Sequence, residues 1–108
     1  MVPASKWRWD GHAGHFIASD HCRFRLHTRI GDYRISTVGD WYPDGSTEDE
    51  PRAIGGGGRT HETYVFRVTG EGAGEVETWS EIDADGYQDC DSAHAGHMAM
   101  CRKYARLA

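Results

Sequence analysis

At 108 residues, with 38% hydrophobic and 11% aromatic side chains, the chain can build one core and not two. Four Trp, five Tyr and three Phe exclude wholesale disorder, and a net charge of −5 disfavours general nucleic-acid binding, which draws on a basic surplus. Three cysteines are an odd number and too few for a disulfide framework, and no apolar run is long enough to span a bilayer.

Residues 1–14 read as a loosely structured N-terminal arm, in which the alternation of Trp7 and Trp9 suits a short edge strand. The start of the chain lacks the apolar core of a signal peptide. With reduced cysteines, that points to the cytoplasm. Residues 15–108 form a single domain. His15 to Ala18 predicts a brief strand, and Ser19-Asp20 a turn into the clearest segment of the sequence. From His21 to Val38 the pattern alternates: Cys22, Phe24, Leu26, Thr28 and Ile30 face one way, and His21, Arg23, Arg25, His27 and Arg29 the other. A period of two marks a half-buried strand. Gly31-Asp32, with Gly first, suits a type II′ hairpin turn. The register that follows pairs Ile30 with Tyr33, Thr28 with Ile35, Leu26 with Thr37, and Arg29 with Arg34.

Residues 43–60 hold two prolines, an acidic run and Gly55 to Gly58, which predicts a long mobile loop. His61 to Thr69 is a third strand and Glu75 to Ile82 a fourth, with Val76, Thr78, Ser80 and Ile82 on its inner face. From Asp91 the period becomes helical: Ala93, His97, Met100, Tyr104 and Leu107 share a stripe. Asp91 or Ser92 is the expected N-cap of a helix running to Arg106. Strands followed by one amphipathic helix predict an α+β fold, an antiparallel sheet of about four to five strands with the C-terminal helix packed on it.

Several side-chain groupings are candidates for chemistry. Arg23, Arg25, His27, Arg29 and Arg34 share one sheet face and could bind an anionic partner, since guanidinium forks match carboxylates and phosphates. Glu75, Glu77 and Glu81, if on the same face, would pair with them instead. Cys90, His94, His97 and Cys101 fall within a quarter turn of the helix, but Cys90 and Cys101 are roughly 16 Å apart along it, at 1.5 Å per residue. That leaves His94, His97 and Cys101 as weak zinc candidates, with outlying ligands from His12, His15, His21, Cys22 or His61. No zinc-finger or H-E-x-x-H spacing is present, and the central place of His97 in the apolar stripe marks it as a core histidine. Glu81 to Ser92 resembles a calcium loop but lacks the Asp at position one and the Glu at position twelve, so a strand-to-helix turn is expected there. Gly55 to Gly58 lacks the Lys-Ser/Thr ending of a phosphate loop. Cys22 falls on the inner face and is read as packing rather than as a nucleophile.

The segments Asp20 to Phe24, Gly31 to Asp40, Glu62 to Phe66, Glu81 to Asp83 and Ala95 to Met100 resemble small uncharacterised proteins encoded by bacteriophages and prophages. The resemblance implies an accessory protein in the cytoplasm of an infected bacterium, and it implies no reaction. It takes in Asp40, Glu62, Thr63 and His97 and leaves out Cys90 and Cys101, which speaks against a metal. The leading expectation is a non-catalytic module that binds a host or viral macromolecule, without a cofactor. A zinc protein or enzyme organised around His97 and a minor virion or decoration protein are the alternatives.

Overall fold

The computed structural model describes residues 1–9, 21–42, 52–54, 58–70, 76–77 and 80–108. Three long antiparallel strands form its centre: β2 (Cys22–Ile30), β3 (Tyr33–Trp41) and β4 (His61–Thr69). The short strand β1 (Arg8–Trp9) pairs with β2 on one side. On the other side β4 is flanked by two short strands that share its edge, β6 (Asp83–Tyr87) along residues 61–65 and β5 (Val76–Glu77) at residues 68–69. Among the described residues the sheet therefore has six strands in five positions. Helix α1 (Cys90–Leu107) lies across one face. This is the α+β architecture that the sequence predicts.

The hairpin forms in the expected register, with Ile30 opposite Tyr33, Thr28 opposite Ile35, Leu26 opposite Thr37 and Arg29 opposite Arg34. Gly31 has φ of 57° and Asp32 stays out of the left-handed region, as a type II′ turn requires. Burial explains why the register holds, because a slip of one residue would carry Thr28 and Ile30, both fully buried, to the opposite face.

Ile30, Ile35 and Val65 pack against Cys101, Tyr104 and Ala105 of the helix, with Val2, Trp7, Tyr33 and Met100 around them. Beside this apolar cluster lies a buried polar layer. Thr28, Thr37, Thr63 and His97 are all fully buried. Thr28 Oγ1 is 2.8 Å from His97 Nε2, Thr37 Oγ1 is 2.7 Å from Nδ1, and the Thr37 and Thr63 hydroxyls are 2.6 Å apart. Hydroxyls rotate to donate or accept, so both nitrogens of a neutral imidazole are satisfied. His97 is a core histidine, as expected.

Four features differ from the sequence-based expectation. The helix begins at Cys90, and its cap is Asp89, whose carboxylate accepts from the Ser92 amide at 2.7 Å. Asp89 has the extended backbone that lets a carboxylate fold back over the first turn, whereas Asp91 and Ser92 are already helical. The helix stripe turns slightly, so Cys101 is fully buried while Met100 is half-buried, and Leu107 is 62% exposed beyond the last turn that meets the sheet. The strand expected over residues 75–82 is limited to Val76–Glu77 among the described residues, and Ile82 is exposed. Finally, Asp83–Tyr87 is a strand rather than a turn. Asp is a poor strand former, but β6 is an edge strand, and its carboxylates satisfy its own backbone: Ala84 N donates to Asp83 and Gly86 N to Asp85. Asp83 also accepts from Lys103 Nζ at 2.7 Å and the Tyr104 hydroxyl at 2.8 Å, tying β6 to the helix.

The N-terminal segment is ordered by packing: Ala4–Lys6 is a 3₁₀ turn, Trp7 joins the core, and the Val2 amide donates to the Ala105 carbonyl at 2.9 Å. The strand expected at His15 to Ala18 and most of the 43–60 loop lie outside the described residues. Of that loop, Ile54 is buried in a second cluster with Cys22 and Val38, and Arg52 bridges to Trp41. No helix among the described residues is long and apolar enough to cross a membrane.

Candidate metal centre

Three elements meet at one corner of the sheet: the end of β3, the start of β4 and the start of α1. Each brings one side chain with a metal-ligating atom, Asp40, His61 and Cys90, and these atoms lie within 4.8 Å of one another.

Asp40 has φ of 51°, and it is the one described non-glycine residue in the left-handed region. Asp tolerates that conformation better than most residues. The twist it introduces near the end of β3 breaks the strict alternation and turns its carboxylate toward the helix. His61 is 1% exposed, and its ring is wedged on three sides. It lies over Gly39, its register partner, where a Cβ would come within 2.0 Å of the ring. The Phe24 ring stands edge-on to it with centroids 5.1 Å apart. Thr60 fixes the third side and the proton. The Thr60 hydroxyl donates to the Gln88 carbonyl at 3.1 Å, so its oxygen accepts from His61 Nδ1 at 2.8 Å. A hydroxyl has one proton to give. His61 therefore carries its proton on Nδ1, and Nε2 points its lone pair into the corner.

There it meets Cys90, the first residue of the helix. Sγ is 3.3 Å from His61 Nε2 and 3.4 Å from Asp40 Oδ2, and Nε2 is 3.7 Å from Asp40 Oδ1. Burial lowers the pKa of His61 against the pull of Asp40 and Asp89, which keeps the imidazole neutral. Burial raises that of the Cys90 thiol, helped by the hydrogen bond to Asp40 and the charges of Asp40, Asp91 and Asp89.

Two kinds of chemistry use a thiol against an imidazole. A nucleophilic cysteine needs an electropositive setting that stabilises the thiolate. Here three carboxylates do the opposite. A divalent cation fits the same surroundings: it offsets the carboxylates, displaces the thiol proton and takes the lone pair of a neutral imidazole. The Sγ–Nε2 and Sγ–Oδ2 distances of 3.3 and 3.4 Å match the span between ligands of one ion, and Nε2–Oδ1 at 3.7 Å is slightly wider. Zn–S of about 2.3 Å and Zn–N or Zn–O of about 2.0–2.1 Å in a tetrahedron place ligand atoms roughly 3.3–3.6 Å apart. The Nδ1–H···Thr60 bond is the kind of outer contact that orients a ligating histidine.

The residues singled out from sequence fall elsewhere. His97 has both ring nitrogens occupied by Thr28 and Thr37, and Cys101 is fully buried, its thiol pushed up to about 11 by burial. His94 is exposed on the helix surface. Cys22 is buried at 3% exposure, in keeping with a packing role. Of the basic face, Arg23 is exposed, Arg25 and Arg34 are half-buried, and His27 and Arg29 are buried. Arg29 donates from Nε to the Gly31 carbonyl at 2.9 Å and from Nη1 to the Gly70 carbonyl at 2.8 Å. Glu62 joins the same sheet face, in the row that runs from Arg25 through Val38. The five residues share a face without forming an open basic stripe.

The sequence reading missed Asp40 and set Cys90 aside, and it named His61 only as an outlying ligand. Gly39-Asp40 at a strand end and Cys90 next to a capping aspartate are the local signals. Neither has a fixed spacing to His61, so no motif records them.

Compared with known proteins, the chain matches no family model, no curated sequence and no solved structure. The functional reading rests on the geometry.

Proposed function

We propose that this protein binds a divalent transition-metal ion, zinc above all, through Asp40, His61 and Cys90. The observation that carries the reading is the placement of buried His61, with Nδ1 engaged by Thr60 and Nε2 set against a thiol and a carboxylate from two other elements. One thiolate, one imidazole and one carboxylate form a donor set that suits zinc or cobalt better than calcium or magnesium, which take all-oxygen sites. The ion would join β3, β4 and the start of α1, and at a free concentration of 100 times Kd it would stabilise the fold by about 2.7 kcal/mol. This reading takes precedence over the macromolecule-binding module, because two of the five basic residues on which that module would rest are buried.

The test is elemental analysis of protein purified without a nickel column, followed by cobalt titration of the metal-free chain. Expected are near-stoichiometric zinc and, with cobalt, a thiolate charge-transfer band in the near ultraviolet. Cys90→Ser removes the band and Asp40→Asn weakens cobalt binding, both in folded protein. A wild-type chain that carries no zinc and gives no charge-transfer band overturns the reading.

A further inference from the structure

A zinc ion held by three protein atoms keeps its fourth position open, whereas a structural site closes it with a fourth side chain. The neighbours of the corner narrow the choice. Asp89 already accepts from the Ser92 amide as the helix cap. Thr60 is engaged between His61 and the Gln88 carbonyl. Asp91 follows Cys90 directly, a step of about 100° around the helix, and residues one apart do not share a face.

We propose that His94 is the fourth ligand, reaching the ion from one turn along α1. The inference rests on the reading of Asp40, His61 and Cys90 as a metal site. Residues four apart lie over one another on a helix, and Cα–Cβ bonds tilt toward its N-terminus, so a side chain at 94 lies over the turn that holds Cys90. The same spacing lets two histidines of an H-x-x-x-H helix share one zinc. His94 is free to make the move. It is exposed, and it stands outside the group of ligating atoms that Asp40, His61 and Cys90 form, so it reaches the ion by turning about its own side-chain bonds. Its neighbours on either side, Ala93 and His97, are buried against the sheet, which holds that part of the helix in place while the imidazole turns. The completed sphere is one sulfur, two nitrogens and one oxygen, with no position left for substrate or water. The ion then serves to hold the corner together rather than to activate water.

The experiment uses the full chain loaded with cobalt, wild type against His94→Ala, with sodium azide as the probe of an open coordination position. Expected for the wild type is an intense visible spectrum of four-coordinate cobalt that azide leaves unchanged. Expected for His94→Ala is at least tenfold weaker cobalt binding and a spectrum that shifts on adding azide. Because His94 is exposed, the metal-free variant should melt with the wild type, which separates ligand loss from misfolding. Equal cobalt affinity of the two proteins, or a wild-type spectrum that responds to azide, overturns His94 as a ligand while leaving the three-residue site standing. A wild type that binds no cobalt overturns both.

Discussion

His97 and His61 are buried to the same degree, and each has a threonine hydroxyl on Nδ1, yet they do opposite work. His97 has a second hydroxyl, Thr28, on Nε2, so the ring is closed on both sides and serves as a polar tie between helix and sheet. His61 has a thiol and a carboxylate at Nε2, groups that share a cation better than they satisfy an imidazole. Burial alone does not separate scaffold from site. What faces the second nitrogen does.

The comparison is broken most severely at His97. His97→Ala leaves a cavity and two buried threonine hydroxyls, those of Thr28 and Thr37, short of a partner, at a cost of about 3 kcal/mol. Below its lowered melting temperature the variant should still bind cobalt with wild-type affinity, because Thr28 and Thr37, the hydrogen-bond partners of His97, are not among the ligands. Denaturant melts paired with cobalt titration check both halves. A variant of unchanged stability that has lost metal binding would exchange the roles of the two histidines.

The same closure makes His97 an acid-sensitive element. Burial, with smaller contributions from His94 and His27, lowers its pKa from 6.5 to about 4. The unfolded chain takes up the proton near 6.5 and the native state only near 4, so the stabilisation is complete above pH 6.5 and is lost as pH falls through 4. At about 1.4 kcal/mol per pH unit, the interval amounts to on the order of 3 kcal/mol. Urea melts of metal-free protein at pH 7, 5.5 and 4 should show the decline. In His97→Gln, which keeps polar atoms in place and cannot titrate, the slope should flatten. An equal slope in both proteins would assign the acid sensitivity to other groups, His61 first, since burial lowers its pKa too.

The scaffold half of this comparison is legible in the sequence and the site half is not, for a physical reason. Alternation from Cys22 to Ile30, a Gly-Asp turn and a helical stripe through Ala93, His97 and Tyr104 are local patterns, repeated at the period of the element they specify. They predict the hairpin register, the helix and the burial of His97. The metal corner has no period. Cys90 stands 29 residues from His61 and 50 from Asp40, and what unites them is where β3 and β4 end in the sheet and how α1 returns over it. Strand β6 escaped for a related reason. Asp83 and Asp85 argue against a strand locally, and only pairing with β4 and their own backbone hydrogen bonds make one.

Two glycines give the finest cut between scaffold and site. A Cβ at Gly39 would meet the His61 ring at 2.0 Å, and one at Gly96 would meet the Tyr87 ring and hydroxyl at 2.2–2.3 Å. Gly39→Ala and Gly96→Ala should therefore each cost about 2 kcal/mol, as overpacking of a filled space does. Their effects on the metal should differ. Gly39→Ala pushes His61 off its seat between Gly39 and Phe24, which turns Nε2 away from Cys90 and lowers cobalt affinity at least tenfold, an effect on the scale seen when the support of a metal ligand is lost. Gly96→Ala presses on the ring of Tyr87, which is not a ligand although its backbone pairs with His61, and should leave cobalt affinity within a factor of two or three. Cobalt titrations of the two variants, matched for stability, read the difference directly. Equal loss in both would mean that the corner depends on the packing of the whole helix rather than on the seat of His61. Equal retention would mean that His61 is not a ligand.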